Sequence, residues 1–274
     1  MSNRAADVSP GGPPGLAGPP GGDVRVPRAV VDLAGGEQVV PVWRNELGGL
    51  TFRLGAGRFV KWVARGTQGL DLAAEAERLR WAAPFAAVPR VLESGRDDDG
   101  TWLVTAALPG ESAVRWTHDP RTAARALGEG LARLHAALPV AHCPFRWAVE
   151  DRVSRAGQRL AAGHGPEAWF PEHRHLSPED ALALLAQPPA PVRTVVCHGD
   201  PCVPNTLLAA DGSVVGVVDL GSLGVADPWA DLAVAAWSTE WNFGPGYARE
   251  VYAAYGTAPD EERIAYYRLL WDLT

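Results

Sequence analysis

The amino-terminal third of the chain combines the hydrophobic period of strands with that of one helix. Residues 37–64 contain short β-rich runs, such as LTFRL and RFVKW, that are separated by the turn signals GG at 48–49 and GAG at 55–57. In residues 70–83 the period becomes helical, with apolar residues on one face and Glu and Arg on the other. VPRVLESG and TWLVTAAL then predict two more strands, joined by the polar turn GRDDDG. This pattern predicts a small sheet with one helix packed on it.

The rest of the chain is predominantly helical around one strand and one hairpin. Residues 122–138, 145–162 and 178–186 carry patterns that predict helices. The apolar strand TVVC follows, and NTLLAADGSVVGVVDLG predicts a hairpin that turns at Asp211–Gly212. Helices predominate after this hairpin. We therefore expect an α+β fold with two lobes and a boundary near residues 108–110.

Composition divides the chain into three segments. Residues 1–23 are dominated by glycine and proline and lack the apolar core of a signal peptide, so we expect a disordered tail. Residues 24–108 correspond to the small lobe that carries the predicted sheet. Residues 109–274 correspond to the larger and mainly helical lobe.

The totals exclude several classes of protein. A net charge of -7 and a pI near 5.5 argue against a nucleic-acid-binding protein, which would carry a basic face. No run approaches the roughly 18 apolar residues of a membrane span. Three cysteines do not make a disulfide framework, which favours a reducing cytoplasm. Because no long apolar seam is visible, we also expect a monomer.

The stretch HGDPCVPN, followed by VVDLG, carries the candidate chemistry. Asp200 and Asn205 are separated by a loop with two prolines, which prevent a regular helix. The predicted hairpin returns Asp219 to the neighbourhood of Asn205. Two carboxylates and an amide oxygen are hard ligands of the kind that Mg²⁺ takes when it bridges nucleotide phosphates. The spacing therefore predicts a phosphotransferase loop.

The first lobe supplies a candidate for the third part of such a site. Lys61, in RFVKWVA, is the only lysine of the chain, and the other basic residues are arginines. A single lysine inside an apolar strand suggests a role that arginine would not fill, namely binding of the donor phosphates. Glu75, on the following predicted helix, is placed to pair with it.

Other kinds of site fit these residues less well. Cys197, His198 and Cys202 could ligate zinc, but a structural zinc site needs four ligands and no second pair lies nearby. Ser222 in LGSLG does not match the G-x-S-x-G elbow of a serine nucleophile. No G-x-x-x-x-G-K-[ST] motif occurs, so a P-loop NTPase is excluded.

Taken together, the motifs resemble those of the aminoglycoside O-phosphotransferases, a branch of the protein-kinase-like superfamily. The resemblance covers almost the whole folded chain, through FVKW, EAERLRW, LARLH, VVCHGDPCVPN, VVDLGSLGVAD and YYRLL. VVCHGDPC and HCPF resemble the streptomycin 3''-phosphotransferases, whereas YYRLLWDL resembles the 3'-type kanamycin kinases. The family implies a two-lobed protein-kinase-like fold that uses Mg²⁺ and takes ATP or GTP as the phosphoryl donor. Nucleotide would bind in the small lobe, and catalysis and acceptor binding would belong to the larger one.

The resemblance also implies roles for particular residues. Asp200 would orient the acceptor hydroxyl and accept its proton, and Asn205 and Asp219 would hold Mg²⁺. Lys61, paired with Glu75, would bind the donor phosphates. The remaining nucleotide contacts would be the phosphate turn at Gly48 and Gly49, the hinge at Ala107 and Leu108, and Thr105 behind the base.

The acceptor side departs from the kanamycin kinases. Those enzymes carry an arginine at the position of Ser222 and several acidic residues late in the chain. The matching positions of this chain, which we take as the acceptor-binding candidates, are Glu240, Trp241, Asn242, Trp271 and Asp272. Aromatic rings suit stacking on a sugar face or a base better than they suit a polyammonium ligand.

These observations leave four functions open. The first is phosphoryl transfer to a sugar hydroxyl of an aminoglycoside or a similar antibiotic, which would confer resistance. A less cationic nucleoside antibiotic of the capuramycin type is an alternative acceptor. A metabolic kinase for a small molecule such as choline is a third possibility. A kinase-like protein that only binds nucleotide or antibiotic is the alternative without chemistry.

Overall fold

The computed structural model of the protein describes residues 17–274 and has the expected two lobes. Residues 1–16 of the expected tail lie outside the described residues. Within the described part, Gly18 exchanges two backbone hydrogen bonds with Arg44, at 2.9 and 2.8 Å. The chain therefore already pairs with the first strand of the sheet before residue 24.

The small lobe is built on a five-stranded antiparallel sheet with the order β1-β2-β3-β5-β4. Its strands are β1 (Val39–Arg44), β2 (Leu50–Leu54), β3 (Arg58–Ala64), β4 (Val91–Arg96) and β5 (Gly100–Ala106). All five were predicted, because each alternates apolar and polar residues between clear turn signals. Lys61 lies on the central strand β3, where it pairs with Thr51 and Leu103.

Helices cover both faces of this sheet. Helix α2 (Leu72–Ala82) begins at Asp71, whose side chain caps the backbone amide of Ala74, and it was predicted. Helix α1 (Arg28–Ala34) was missed, since its seven residues lie between Pro27 and Gly35 in a region of glycine and proline. The small lobe thus has a second, short helix beside the predicted one.

The larger lobe contains six helices and two small sheets among the described residues. The helices are α3 (Pro120–Ala137), α4 (Val149–Ala161), α5 (Pro178–Leu185), α6 (Trp229–Phe243), α7 (Ala248–Tyr255) and α8 (Glu261–Asp272). The strands are β6 (Glu111–Ser112), β7 (Val195–Cys197), β8 (Thr206–Leu208), β9 (Val214–Val217) and β10 (Gly224–Ala226). The sequence pattern did not predict the short strands β6 and β10, of which β10 pairs antiparallel with β7. None of the helices in residues 17–274 combines the length and apolar character that a membrane crossing requires.

The connections between these elements bring the motif residues to the junction of the lobes. β8 and β9 form the predicted hairpin, and Val218 donates a backbone hydrogen bond of 2.9 Å to the carbonyl of Asn205. β6 pairs with β8, so the chain joins the larger lobe directly after residue 110. Strand β7 and the hairpin are both buried against α3 and α6. The loop between β7 and β8 therefore begins and ends at strands that belong to the buried core.

The packing of α7 on α3 depends on a glycine. A methyl group placed on Gly128 would lie 2.2 Å from the carbonyl oxygen of Val251 and 2.9 Å from the Cβ of Ala254. Both partner groups belong to α7, so an added side chain would have to push the two helices apart. Gly157, in α4, offers a contrast, because nothing lies within 4 Å of the corresponding methyl position.

We predict that Gly128→Ala lowers the free energy of unfolding by about 1–3 kcal/mol, the usual effect of overpacking. Gly157→Ala is the matched control, and it should raise stability by about 0.4–1 kcal/mol because alanine restricts the unfolded chain. Thermal unfolding followed by circular dichroism measures both. Equal melting temperatures for the two variants would contradict the close helix approach at Gly128.

Candidate functional site

One buried aspartate, Asp231, anchors the start of the catalytic-loop candidate, residues 198–205. Asp231, in the first turn of α6, is fully buried and accepts hydrogen bonds from the backbone amides of His198 at 2.6 Å and Gly199 at 2.9 Å. His135 of α3 lies 3.0 Å from the same carboxylate. Burial opposes the charge of Asp231, but the contact with His135 and the backbone donors outweigh it and lower its pKa.

The backbone of this loop requires glycine at position 199. Gly199 has a φ of 89°, and a methyl group there would lie 2.3 Å from the carbonyl oxygen of Ser222. His198 Nε2 lies 2.9 Å from the carbonyl of Val218, and the amide of Asp200 lies 3.3 Å from its Nδ1. Because a carbonyl only accepts and an amide N–H only donates, the Nε2–H tautomer satisfies both contacts. Both ring nitrogens of His198 are therefore engaged with the backbone around the loop.

Both carboxylate oxygens of Asp200 are held by the loop itself. The thiol of Cys202 donates to Oδ1 at 2.9 Å, and the amide nitrogen of Asn205 donates to Oδ2 at 3.2 Å and to the carbonyl of Asp200 at 2.9 Å. Burial raises the pKa of Asp200, and the hydrogen bond from Cys202 offsets part of this shift. Cys197 lies on the other side of the loop and contacts the carbonyl of Asp227. The two cysteines therefore serve different polar partners.

Asp219 has an unusual backbone at the end of the hairpin. Its φ of 69° is the one positive value among the non-glycine residues of the described range 17–274. A residue in this region is strained by about 1–3 kcal/mol, and such strain concentrates at functional sites. Its side chain remains 44% exposed, in contrast to the fully buried Asp231. The structure places Asp219 where the sequence predicted it, beside Asn205 and facing the small lobe.

The single lysine joins the two lobes. Lys61 Nζ lies 2.6 Å from Glu75 Oε1 and 2.6 Å from Asp219 Oδ1. Burial disfavours the ammonium charge, but the carboxylates of Asp219 and Glu75 overcome this and raise the pKa of Lys61. For Asp219, burial acts in the opposite sense, yet the charge of Lys61 prevails and lowers the pKa. Glu75 shifts the other way, because burial raises its pKa and the charge of Lys61 offsets only part of this shift.

The predicted phosphate turn and hinge lie at the edge of the same cleft. Gly48 has a φ of 86°, and its amide donates to the carbonyl of Asn45 at 3.0 Å. The amide of Gly49 donates to the Asn45 side chain at 2.7 Å. In this conformation both glycine N–H groups donate hydrogen bonds within the turn itself. The contact of Gly48 and Gly49 with the donor phosphates stays a prediction.

The hinge residues follow strand β5. Thr105 pairs with Phe59 of β3 and Val91 of β4. The amide of Ala107 donates to the carbonyl of Gly57 at 2.9 Å. The Cδ1 methyl group of Leu108 lies 3.0 Å from the position that a Cβ atom would take on Gly216 of β9. Ala107 and Leu108 thus lie between β5 and β6, where the chain passes from one lobe to the other, and their contact with a nucleobase stays a prediction.

On the acceptor side, the structure brings together an aromatic cluster, defined as Phe170, Trp237, Trp241 and Trp271. The rings of Trp241 and Trp271 are stacked, with centroids 5.7 Å apart and planes inclined by 22°. Phe170 lies 4.5 Å from Trp237 and 5.0 Å from Trp241. Trp237 is buried, whereas Trp241 and Trp271 are partly exposed. The cluster is part core and part surface.

The two acidic candidates are already paired within the protein. Asp272 accepts from His173 Nδ1 at 2.6 Å and from the backbone amide of Phe170 at 2.9 Å. Glu240 lies 3.1 Å from Arg268, whose guanidinium is 5.4 Å above the ring of Trp237. The sequence pattern presented both carboxylates as free ligands. Their partners come from distant segments, so only the folded chain reveals the pairing.

Two further polar residues near the predicted ones, Ser238 and Glu46, were missed by the sequence analysis. Asn242, the remaining predicted contact, donates to the carbonyl of Ser238, and the hydroxyl of Ser238 in turn receives the amide of Val203 in the catalytic loop. Glu46, at the tip of the turn between β1 and β2, carries a raised pKa because of desolvation first and the charge of Asp200 second. The signal for Glu46 was its position two residues before the GG turn.

Comparison with known proteins agrees with this geometry. The model of the phosphotransferase enzyme family matches residues 46–267. A streptomycin 3''-kinase from Streptomyces griseus is 40% identical over 250 residues, covering 85% of this chain and 91% of that protein. An aminoglycoside 3'-phosphotransferase from Streptomyces fradiae is 40% identical over 212 residues, covering 73% and 78%.

A solved structure shows the same relation. The aminoglycoside phosphotransferase APH(3'')-Id from Streptomyces rimosus, in complex with ADP and streptomycin, has a TM-score of 0.74 and 32% identity, covering 89% of this chain and 96% of that one. The matched region includes the lysine strand, the catalytic-loop candidate and Asp219. The resemblance inferred from the motifs is confirmed, and the chain belongs to the phosphotransferase enzyme family.

Proposed function

We propose that this protein transfers the γ-phosphoryl group of ATP or GTP to the 3''-hydroxyl of a streptomycin-type aminoglycoside and so confers resistance. The observation that carries this proposal is the cluster in which Lys61 contacts Glu75 and Asp219 next to the held carboxylate of Asp200. The relative from Streptomyces griseus, a streptomycin 3''-kinase that is 40% identical and 91% covered, supports this acceptor. Such a position-and-charge mechanism is the common form of phosphoryl transfer.

The donor set at the hairpin suits a hard divalent cation. Asn205 uses its amide nitrogen on Asp200, which leaves Oδ1 for a cation, and Asp219 uses Oδ1 on Lys61, which leaves Oδ2. Oxygen ligands of this kind are those that Mg²⁺ takes together with substrate phosphates. We infer that Asn205 and Asp219 hold Mg²⁺. Bound there with nucleotide, the ion would neutralise charge on the phosphates.

The protein side chains would then contact the donor phosphates and the acceptor hydroxyl. Lys61, fixed by Glu75, would donate hydrogen bonds to the donor phosphates. Asp200, with each oxygen held by a neighbour, would orient the acceptor hydroxyl and accept its proton. Because Cys202 and Asn205 fix the carboxylate before substrate arrives, little reorganisation is needed during transfer.

The acceptor side favours stacking over ammonium binding. The carboxylate of Asp272 is hydrogen-bonded to His173 and that of Glu240 is ion-paired with Arg268, while Trp241 and Trp271 keep part of their faces exposed. Indole faces attract planar guanidinium cations, the cations that streptomycin carries, and also sugar faces. This arrangement supports streptomycin over a ligand rich in ammonium groups. The same aromatic faces favour a nucleoside antibiotic as the second candidate.

We further propose a monomer that acts in a reducing cytoplasm. The three cysteines, Cys143, Cys197 and Cys202, are unpaired in the structure. The large apolar side chains exposed within residues 17–274 are scattered over both lobes and include Val31, Phe85 and Val192.

Asp200→Ala should lower kcat by about 10²–10⁴-fold while leaving the Kd of Mg·ATP nearly unchanged, because the proton acceptor is lost and the phosphate contacts are kept. Asp211→Ala is the control, since Asp211 caps an exposed hairpin turn through Ser213 only. Coupled ADP release measures kcat, and calorimetry measures nucleotide binding. A wild-type rate for Asp200→Ala would remove this residue from the mechanism.

Incubation with ATP or GTP and an acceptor panel should give a monophosphate adduct of streptomycin, detected by mass spectrometry and located at the 3''-hydroxyl by NMR. The panel also contains kanamycin, a capuramycin-type nucleoside antibiotic and choline. EDTA should abolish the product and added Mg²⁺ should restore it. Phosphorylation of another panel member in place of streptomycin would overturn the acceptor assignment, and nucleotide binding without turnover of any member would indicate a binding protein.

A further inference from the structure

One face of helix α2 carries two functional contacts, of which only the first was expected. Glu75 lies on this face and pairs with Lys61. Arg78 follows three residues later and therefore projects from the same side of the helix. Arg78 is half-buried, whereas its neighbour Arg80 is exposed on the opposite side, where it contacts Ser94.

Arg78 reaches from the small lobe into the larger one. Its Nε donates to the carbonyl of Leu223 at 3.0 Å, and its Nη1 donates to the carbonyl of Ala74 in its own helix at 3.1 Å. Its guanidinium lies 4.8 Å above the ring of Phe145, in the segment between α3 and α4. One side chain therefore has a hydrogen bond back to its own helix and two contacts in the opposite lobe.

The carbonyl that accepts from Arg78 belongs to the loop of Asp219. Leu223 follows Asp219 by four residues, is fully buried, and closes the loop through a 3.0 Å hydrogen bond from its amide to the carbonyl of Leu220. A displacement of Leu223 would consequently move the whole turn that carries Asp219. Arg78 thus links the helix of Glu75 to the loop of Asp219 at a second point, beside the link through Lys61.

The next turn of the helix strengthens this link. The indole nitrogen of Trp81 donates to the carbonyl of His142 at 3.1 Å, and its ring meets Phe145 edge-on at 6.0 Å. Trp81 also contacts Phe85 at 5.6 Å. The end of α2 is therefore attached to the larger lobe by polar and aromatic contacts together.

We propose that Arg78 is a positioning residue for nucleotide binding: by tying α2 to the Asp219 loop, it keeps Glu75 and Asp219 on opposite sides of Lys61 before any ligand arrives. This inference rests on the proposed nucleotide site at Lys61 and is independent of the acceptor. It predicts that the helix needs no separate activating event. Loss of the link would let α2 move away, and Lys61 would then remain with Asp219 alone.

The test compares Arg78→Met with Arg80→Met, two substitutions on the same helix that remove the guanidinium group but keep an unbranched apolar side chain. Arg78→Met should raise the Kd of Mg·ATP about tenfold, the effect of one lost hydrogen bond from a charged group. It should also speed amide hydrogen exchange in residues 72–82 and 219–223. Arg80→Met should leave both unchanged. Calorimetry of nucleotide binding and exchange mass spectrometry give the readouts, and circular dichroism establishes that each variant is folded.

Arg78→Lys distinguishes positioning from charge alone. Lysine keeps the charge but lacks the forked donors, so its Kd should lie between those of the wild type and Arg78→Met. A Kd for Arg78→Met within twofold of Arg80→Met, with equal exchange in α2, would overturn the proposal. Should Arg78→Met fail to fold, the same comparison of Kd and exchange between Arg78→Lys and Arg80→Lys decides it. Failure of the acceptor panel leaves these measurements intact, because they require only nucleotide.

Discussion

One ammonium group shared by two carboxylates is the interaction on which the site depends. Lys61 comes from the central strand of the small sheet, Glu75 from the helix packed on it, and Asp219 from the hairpin of the larger lobe, with 2.6 Å between Lys61 and each acid. A partly buried lysine is stabilised by such partners. The partly exposed carboxylate of Asp219 favours a cation beside it, and a second acid would keep Lys61 paired when it turns to a phosphate.

The larger lobe supplies the rigidity that this cluster needs. Asp219 keeps a left-handed backbone that costs about 1–3 kcal/mol, so its neighbours must hold it. Asp231 fixes the start of the catalytic loop through two amides, His198 joins that loop to the strand before Asp219, and Arg78 ties the following turn to α2. Each support comes from a different element, and the loop and the lysine are thereby set relative to one another before ligand binds.

The nucleotide half of the site could be predicted because each of its motifs is recognisable within a short stretch of chain, although the Lys61–Asp219 contact itself joins residues 158 apart. A loop with prolines, a hairpin with a two-residue turn and a lone lysine in a strand fix Asp200, Asn205 and Lys61 within short stretches of chain. The acceptor half depends on long-range packing: Asp272 looked free in the sequence but pairs with His173, which lies 99 residues away. Short elements such as α1 were also missed, because a helix of seven residues between proline and glycine is too short to show a helical period of apolar residues.

Labelling of the single lysine tests the central claim most directly. An ATP analogue with an acyl group on its terminal phosphate acylates amines that lie against the phosphates, and any lysine adduct must be on Lys61, since the chain has no other lysine. We expect mass spectrometry to find Lys61 acylated and saturating Mg·ATP to suppress the adduct. An unmodified Lys61, or a labelling rate that Mg·ATP does not change, would contradict the account of Lys61 as the phosphate-binding group.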